Sequence, residues 1–124
     1  MMRAVCISLV GASVLGVSAA LADIADVIDV EVTRESADSY RFEVIIRSEE
    51  TGWDKYADRW EVLGPDGERV GTRVLHHPHV DEQPFTRSLG GVAIPEAITE
   101  VTVRAHDSAD GYGGAEMIVP LPGR

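Results

Sequence analysis

Four histidines hold most of the side-chain nitrogen in this sequence that is suited to coordination or proton transfer. His76, His77 and His79 stand in one run and His106 stands alone, with Asp81 and Glu82 beside the first group and Asp107 beside the second. Neutral imidazole with carboxylate suits copper, zinc or nickel, so these four residues read as a transition-metal site, with copper or zinc the leading ions. His77 and His79 are two apart and would face one way on an extended chain, but Pro78 and Pro84 favour a loop. Such ligands bind deprotonated, so binding would weaken below about pH 6. The plainer alternative is that the histidines hydrogen-bond to loop backbone and hold a long connection in shape.

Other combinations carry less. Ser88, His79 and Asp81 contain the residue types of a hydrolytic triad, but no nucleophile elbow or oxyanion-hole motif accompanies them, and the chain is not expected to be an enzyme. A hydrolase using His79 or His106 as base would need an attacking group or metal-bound water within about 3 Å of one of them. Glu49-Glu50 and Asp81-Glu82 are neighbours that point apart on an extended chain, and they read as solvated charges. The stretch Asp107 to Gly114 lacks the alternating ligands and closing glutamate of a calcium loop, so it reads as a glycine-rich hairpin turn. Trp53, Tyr56 and Tyr112 fall in connections rather than strands and read as contact residues for a protein partner.

The elements that must position these groups show a period of two almost throughout. Ile28, Val30 and Val32 alternate with polar residues, and so do Tyr40, Phe42, Val44 and Ile46. Arg59 to Leu63 and Arg69 to Leu75 flank a Gly64-Pro65-Asp66-Gly67 turn, where Pro presets one backbone angle and Gly accepts a positive one. Phe85 to Ile94 is a strand interrupted by Gly90-Gly91, which marks a bulge. Val101 to His106 and Ala115 to Leu121 complete seven short strands, the pattern of a β-sandwich.

The order of strand, strand, crossover, tight hairpin, strand, short turn and closing hairpin resembles immunoglobulin-like and fibronectin-like domains. Trp60 occupies the place where such domains bury a Trp, although their disulfide and their Tyr near the sixth strand are absent. The resemblance implies a single all-β immunoglobulin-like antiparallel sandwich over residues 23–124. It also implies that the connections 48–58, 76–84 and 107–114 meet at one pole, with His76-His77 and His106-Asp107 two strand spacings apart, roughly 10 Å. Separately, the run from His77 to Ser88 (His-Pro-His-Val-Asp-Glu-Gln-Pro-Phe-Thr-Arg-Ser) resembles a segment of small exported proteobacterial proteins, a likeness that implies no activity.

The opening residues bound the setting. Arg3, an apolar run from Ala4 to Val17 and the Ala20-Leu21-Ala22 site read as a secretory signal peptide over residues 1–22. The apolar run is shorter than the roughly 20 residues that span a membrane, and Cys6 lies near its start, so no membrane attachment is expected after cleavage. Cleavage would leave 102 residues without cysteine, enough for one core held by packing alone. The formal net charge of −10 opposes a phosphate backbone and speaks against nucleic acid. The expectation is therefore a periplasmic or secreted binding module. It would present His76, His77, His79 and His106 to a metal, or else Trp53, Tyr56 and Tyr112 to a protein partner in a structural or accessory role without metal.

Overall fold

The computed structural model describes residues 24–124. The expected signal peptide, residues 1–22, lies outside them. Seven strands follow in order: β1 (Asp26–Arg34), β2 (Ser39–Arg47), β3 (Ala57–Leu63), β4 (Arg69–Val74), β5 (Phe85–Ala93), β6 (Glu100–Asp107) and β7 (Met117–Pro120). They form two antiparallel sheets, β1-β2-β5 and β4-β3-β6-β7. This is the all-β immunoglobulin-like sandwich expected from the strand pattern.

The alternation expresses itself directly as burial. Tyr40, Phe42, Val44 and Ile46 of β2 face Trp60 and Val62 of β3 and Val101, Val103 and Ala105 of β6, all within one core. Each large side chain so buried stabilises the fold by about 1.5–3 kcal/mol. Trp60 is fully buried, as expected. The Gly90-Gly91 bulge is also present: the partners of β2 skip from Val92 to Leu89, and Gly91 takes φ 66°, a conformation glycine adopts without steric cost.

One strand departs from the expected phase. A bulge between Val27 and Asp29 shifts the register of β1, so Val27 is buried and Ile28 lies 36% exposed. A single extra residue reverses the faces on either side of it, which period-two reading cannot see.

Strand β3 pairs antiparallel with β4 on one side and β6 on the other. The carboxyl ends of β4 and β6 therefore lie at one pole. The opposite pole is laced together by arginine. Arg124 donates to the carbonyls of Ala37, Ile94, Pro95 and Ile98, and Arg34 donates to those of Ser36, Ala37 and Gly123.

Candidate functional site

The connection 48–58 forms the middle of the elaborate pole and is hydrogen-bonded to both other loops. Toward loop 76–84, one oxygen of Glu50 accepts the His79 amide at 2.6 Å, and the other accepts the Ala57 amide at 3.2 Å and the Ser48 hydroxyl. Gln83 reaches back: its Oε1 accepts the Ser48 amide at 2.9 Å and its Nε2 donates to the His79 carbonyl at 3.0 Å. Glu50 is thus not the solvated charge expected from sequence. It replaces ladder bonds that an irregular loop cannot make.

Toward loop 107–114, Lys55 Nζ lies 2.7 Å from Asp107 and 2.9 Å from Asp110. Tyr56 and Ser108 exchange two further bonds, the Ser108 amide to the Tyr56 carbonyl at 2.8 Å and the Tyr56 amide to Ser108 Oγ at 3.1 Å. Asp107 is fully buried and also accepts the amides of Ala109 and Asp110. Burial pushes its carboxyl pKa up, but the Lys55 ammonium and the two amides outweigh this and hold it below the ordinary value. Its oxygens fasten its own turn. Gly114 closes the loop against the amino end of β1, where a Cβ would collide with the Ala25 carbonyl. All three long loops therefore do assemble at one pole.

The structure does not support the expectation that His76, His77, His79 and His106 gather there as one ligand set. Among the described residues, no group of three or more His, Cys, Asp or Glu side chains is arranged to hold a metal ion. His106 sits opposite Arg59 in the β3–β6 pairing, and its Nδ1 is 2.6 Å from Asp58 Oδ1. Its ring meets Tyr112 edge-on at 4.7 Å, on the outer face of the sheet rather than in the loops. His76 and His77 are exposed, and His77 Nδ1 lies 3.1 Å from the Pro78 carbonyl. Only His77 and His79 are close, with ring centroids 4.7 Å apart.

His79 is the unusual one. It is 5% exposed, stacked on Phe85 at 4.1 Å, and neither ring nitrogen meets a hydrogen-bonding partner. Burial is the main cause lowering its pKa below the ordinary value, helped by the positive charge of Arg87. The neutral ring packs as an aromatic plate beneath the loop.

The aromatic residues divide in the same way. Trp53 is 68% exposed and meets the half-buried Tyr56 edge-on at 5.6 Å, so the indole faces solvent at the pole. A groove of about 740 Å³ runs between loops 48–58 and 76–84, lined by Arg47, Glu49, Thr51, Lys55, Val80 and Gln83 among others. Tyr112 turns away, and its hydroxyl donates to Glu61 at 2.8 Å.

Glu61 centres a cluster that sequence reasoning missed. It lies mid-strand on the outer face of β3, yet is fully buried. Its oxygens accept Arg59 Nε at 2.8 Å and Arg104 Nε at 3.0 Å, and Arg69 Nη1 stands 3.5 Å away. Arg104 stacks on the Tyr112 ring, its guanidinium carbon 3.8 Å from the centroid. Burial alone would raise the Glu61 pKa, but the bonds from Arg59, Tyr112 and Arg104 win and lower it. The available signal was Arg59 and Glu61 at a spacing of two on one strand. Arg104 joins them only through the pairing Glu61↔Arg104.

With the geometry in view, comparison with known proteins adds one relative. The chain is 41% identical over 95 residues to a Halomicrobium mukohataei protein named "Putative lipoprotein". The match covers 77% of this chain and 46% of that protein, so the chain spans about half the length of the curated relative it matches. No family model matches the chain, and no solved structure does either.

Proposed function

We propose that this chain is an exported β-sandwich module that binds a protein partner through the pole built from loops 48–58, 76–84 and 107–114. The observation that carries the reading is Trp53, a large aromatic residue left 68% exposed on loops that are otherwise hydrogen-bonded into place. A rigid, amphipathic ring presented at low entropic cost is the usual anchor of a protein contact. Exposed Val80 lines a groove between loops 48–58 and 76–84, a second, polar-rimmed feature of the same pole. The name of the Halomicrobium relative, "Putative lipoprotein", supports an exported setting. The histidines then serve as loop structure and partner contacts, with His77 on the rim. Metal is not part of this reading: among the described residues no three candidate ligands are grouped, and His106 is taken up by Asp58 and Tyr112 on the outer face of the sheet.

The test is a photo-crosslinking residue placed at Trp53 in producing cells, with a second at Asp66 on the opposite pole. A discrete protein adduct from position 53, absent from position 66, is the expected result. Equal or absent labelling at both positions would remove the proposal.

A further inference from the structure

Loop 76–84 is plugged into the sandwich by a single side chain. Leu75 and Phe85 at its ends are buried, and between them only His79 is. The His79 ring lies on Phe85 with centroids 4.1 Å apart, and neither ring nitrogen meets a protein partner. With the ring seated, Glu50 accepts the His79 amide, and Gln83 ties the His79 carbonyl to the Ser48 amide. Val80 and Gln83 then form the loop's wall of the groove, opposite connection 48–58.

The seat holds a neutral ring and has no place for a charged one. The charged and titratable groups that face it come from three elements: Glu50 in connection 48–58, Arg87 in β5, and His77 and Glu82 in the loop itself. Both carboxylates are already engaged. Glu50 takes the amides of His79 and Ala57 and the Ser48 hydroxyl, and Glu82 lies 3.3 Å from Arg87. Arg87 and a charged His77 repel an imidazolium, and burial removes the water that would otherwise solvate it.

We infer that His79 is a proton-operated latch: charging its ring undocks loop 76–84 from Phe85 and Glu50 and removes one wall of the groove, while the sandwich beneath stays folded. The ends of the loop remain anchored, because the Leu75 amide donates to the Asp58 carbonyl and Phe85 pairs with Ile46 across the sheet. In the open loop the ring meets water and takes its proton at the ordinary value of 6.5, more readily than in the closed one. Closure is therefore complete above that value and is lost as pH falls below it. Glu61 and Asp107 keep their charges into stronger acid, so the latch opens while the rest of the molecule is intact. That opening would release a partner rests on the function proposed above; the latch itself is read without one.

The experiment is nuclear magnetic resonance of the purified protein and its His79→Phe variant, following the His79 ring and the deuterium exchange of backbone amides between pH 7.5 and pH 5. Phe keeps the stack on Phe85 and cannot charge. The reporter is the Ser48 amide, held by Gln83 and remote in sequence from the ring. Comparing the two proteins at each pH cancels the intrinsic pH dependence of exchange. The wild-type to variant ratio at Ser48 should rise about tenfold between pH 7.5 and pH 5, one factor of ten for each unit separating the open and closed rings. Amides of the β3–β6 ladder should show no such rise, and His77→Ala should retain it at Ser48. Absence of the rise would overturn the inference, as would a ring that titrates while Ser48 stays protected. An equal rise in the β3–β6 ladder would also overturn it, by showing unfolding of the whole sandwich in place of one loop.

Discussion

The loop 76–84 and the face of β3 both concentrate ionisable groups, and they treat them in opposite ways. The loop holds three of the four histidines, yet it neutralises the one it buries: His79 lies under the backbone with no partner for either ring nitrogen. The strand face buries a full charge, Glu61, and surrounds it with Arg59, Arg104 and Tyr112. A buried ring can shed its charge near neutral pH, whereas a carboxylate flanked by guanidiniums keeps its own. Residue types that look functional in a row of letters can therefore be packing material, and a strand read only for its core face can hold a buried charge cluster on the other.

The largest effect expected from breaking this contrast comes from the strand. Replacing both Arg59 and Arg104 by Met removes two of the donors to Glu61 and leaves a buried carboxylate with far less compensation. Urea unfolding should show a loss of about 3–5 kcal/mol, the range for stranding one member of a buried ionic set. A loss below about 1 kcal/mol would mean that Glu61 escapes to water or takes up a proton, and that the cluster is not a structural centre.

Acid titration sharpens the comparison, because the two regions should fail in different windows. His79 has a depressed pKa in the folded state, so the unfolded chain binds its proton more readily. Its contribution is complete above the ordinary value of 6.5 and is lost as pH falls below it. Glu61 and Asp107 are depressed below ordinary values of 4.5 and 3.8, so their contributions vanish only in stronger acid. His79→Phe should abolish the first decline, keep the second, and be neutral or stabilising by up to about 1 kcal/mol, since no hydrogen bond is lost. Thermal melts at steps between pH 7 and pH 3 resolve the two. A first decline that survives in the variant would assign it to some other group.

Much of this was legible beforehand, and the boundary is physical. Loop convergence followed from strand order alone, because antiparallel pairing of β3 with β4 and β6 places the ends of β4 and β6 together. The destination of each side chain did not follow. His106 is one residue from Asp107, and strand alternation sends its ring to the outer face while Asp107 turns inward to Lys55. Glu50 looked solvated because its three partners come from Ser48, Ala57 and His79, and loop 76–84 reaches it only through folding.

The smallest effect is expected where the sequence seemed richest. His77→Ala should change stability by no more than about 0.5 kcal/mol, as for an exposed residue with one local bond. Calorimetric titration of the protein with copper and zinc should show no stoichiometric micromolar site. Binding at that level, lost in a His77→Ala/His79→Ala variant, would restore a metal role to the loop and overturn its reading as packing.

What the sequence determined by itself was whatever depends on neighbours along the chain: seven strands from period-two alternation, the Gly64 to Gly67 turn, the Gly90-Gly91 bulge, and a buried Trp60. Those signals are local, and local sterics enforce them wherever the chain goes. Tertiary structure decided which titratable groups meet. Glu61 and Arg104 are joined by strand pairing, Lys55 and Asp107 by the meeting of two loops, and His79 was parted from His106 because one entered a loop interior and the other an outer face. Electrostatic energy depends on distance through space and on exclusion of water, and neither is written in residue order.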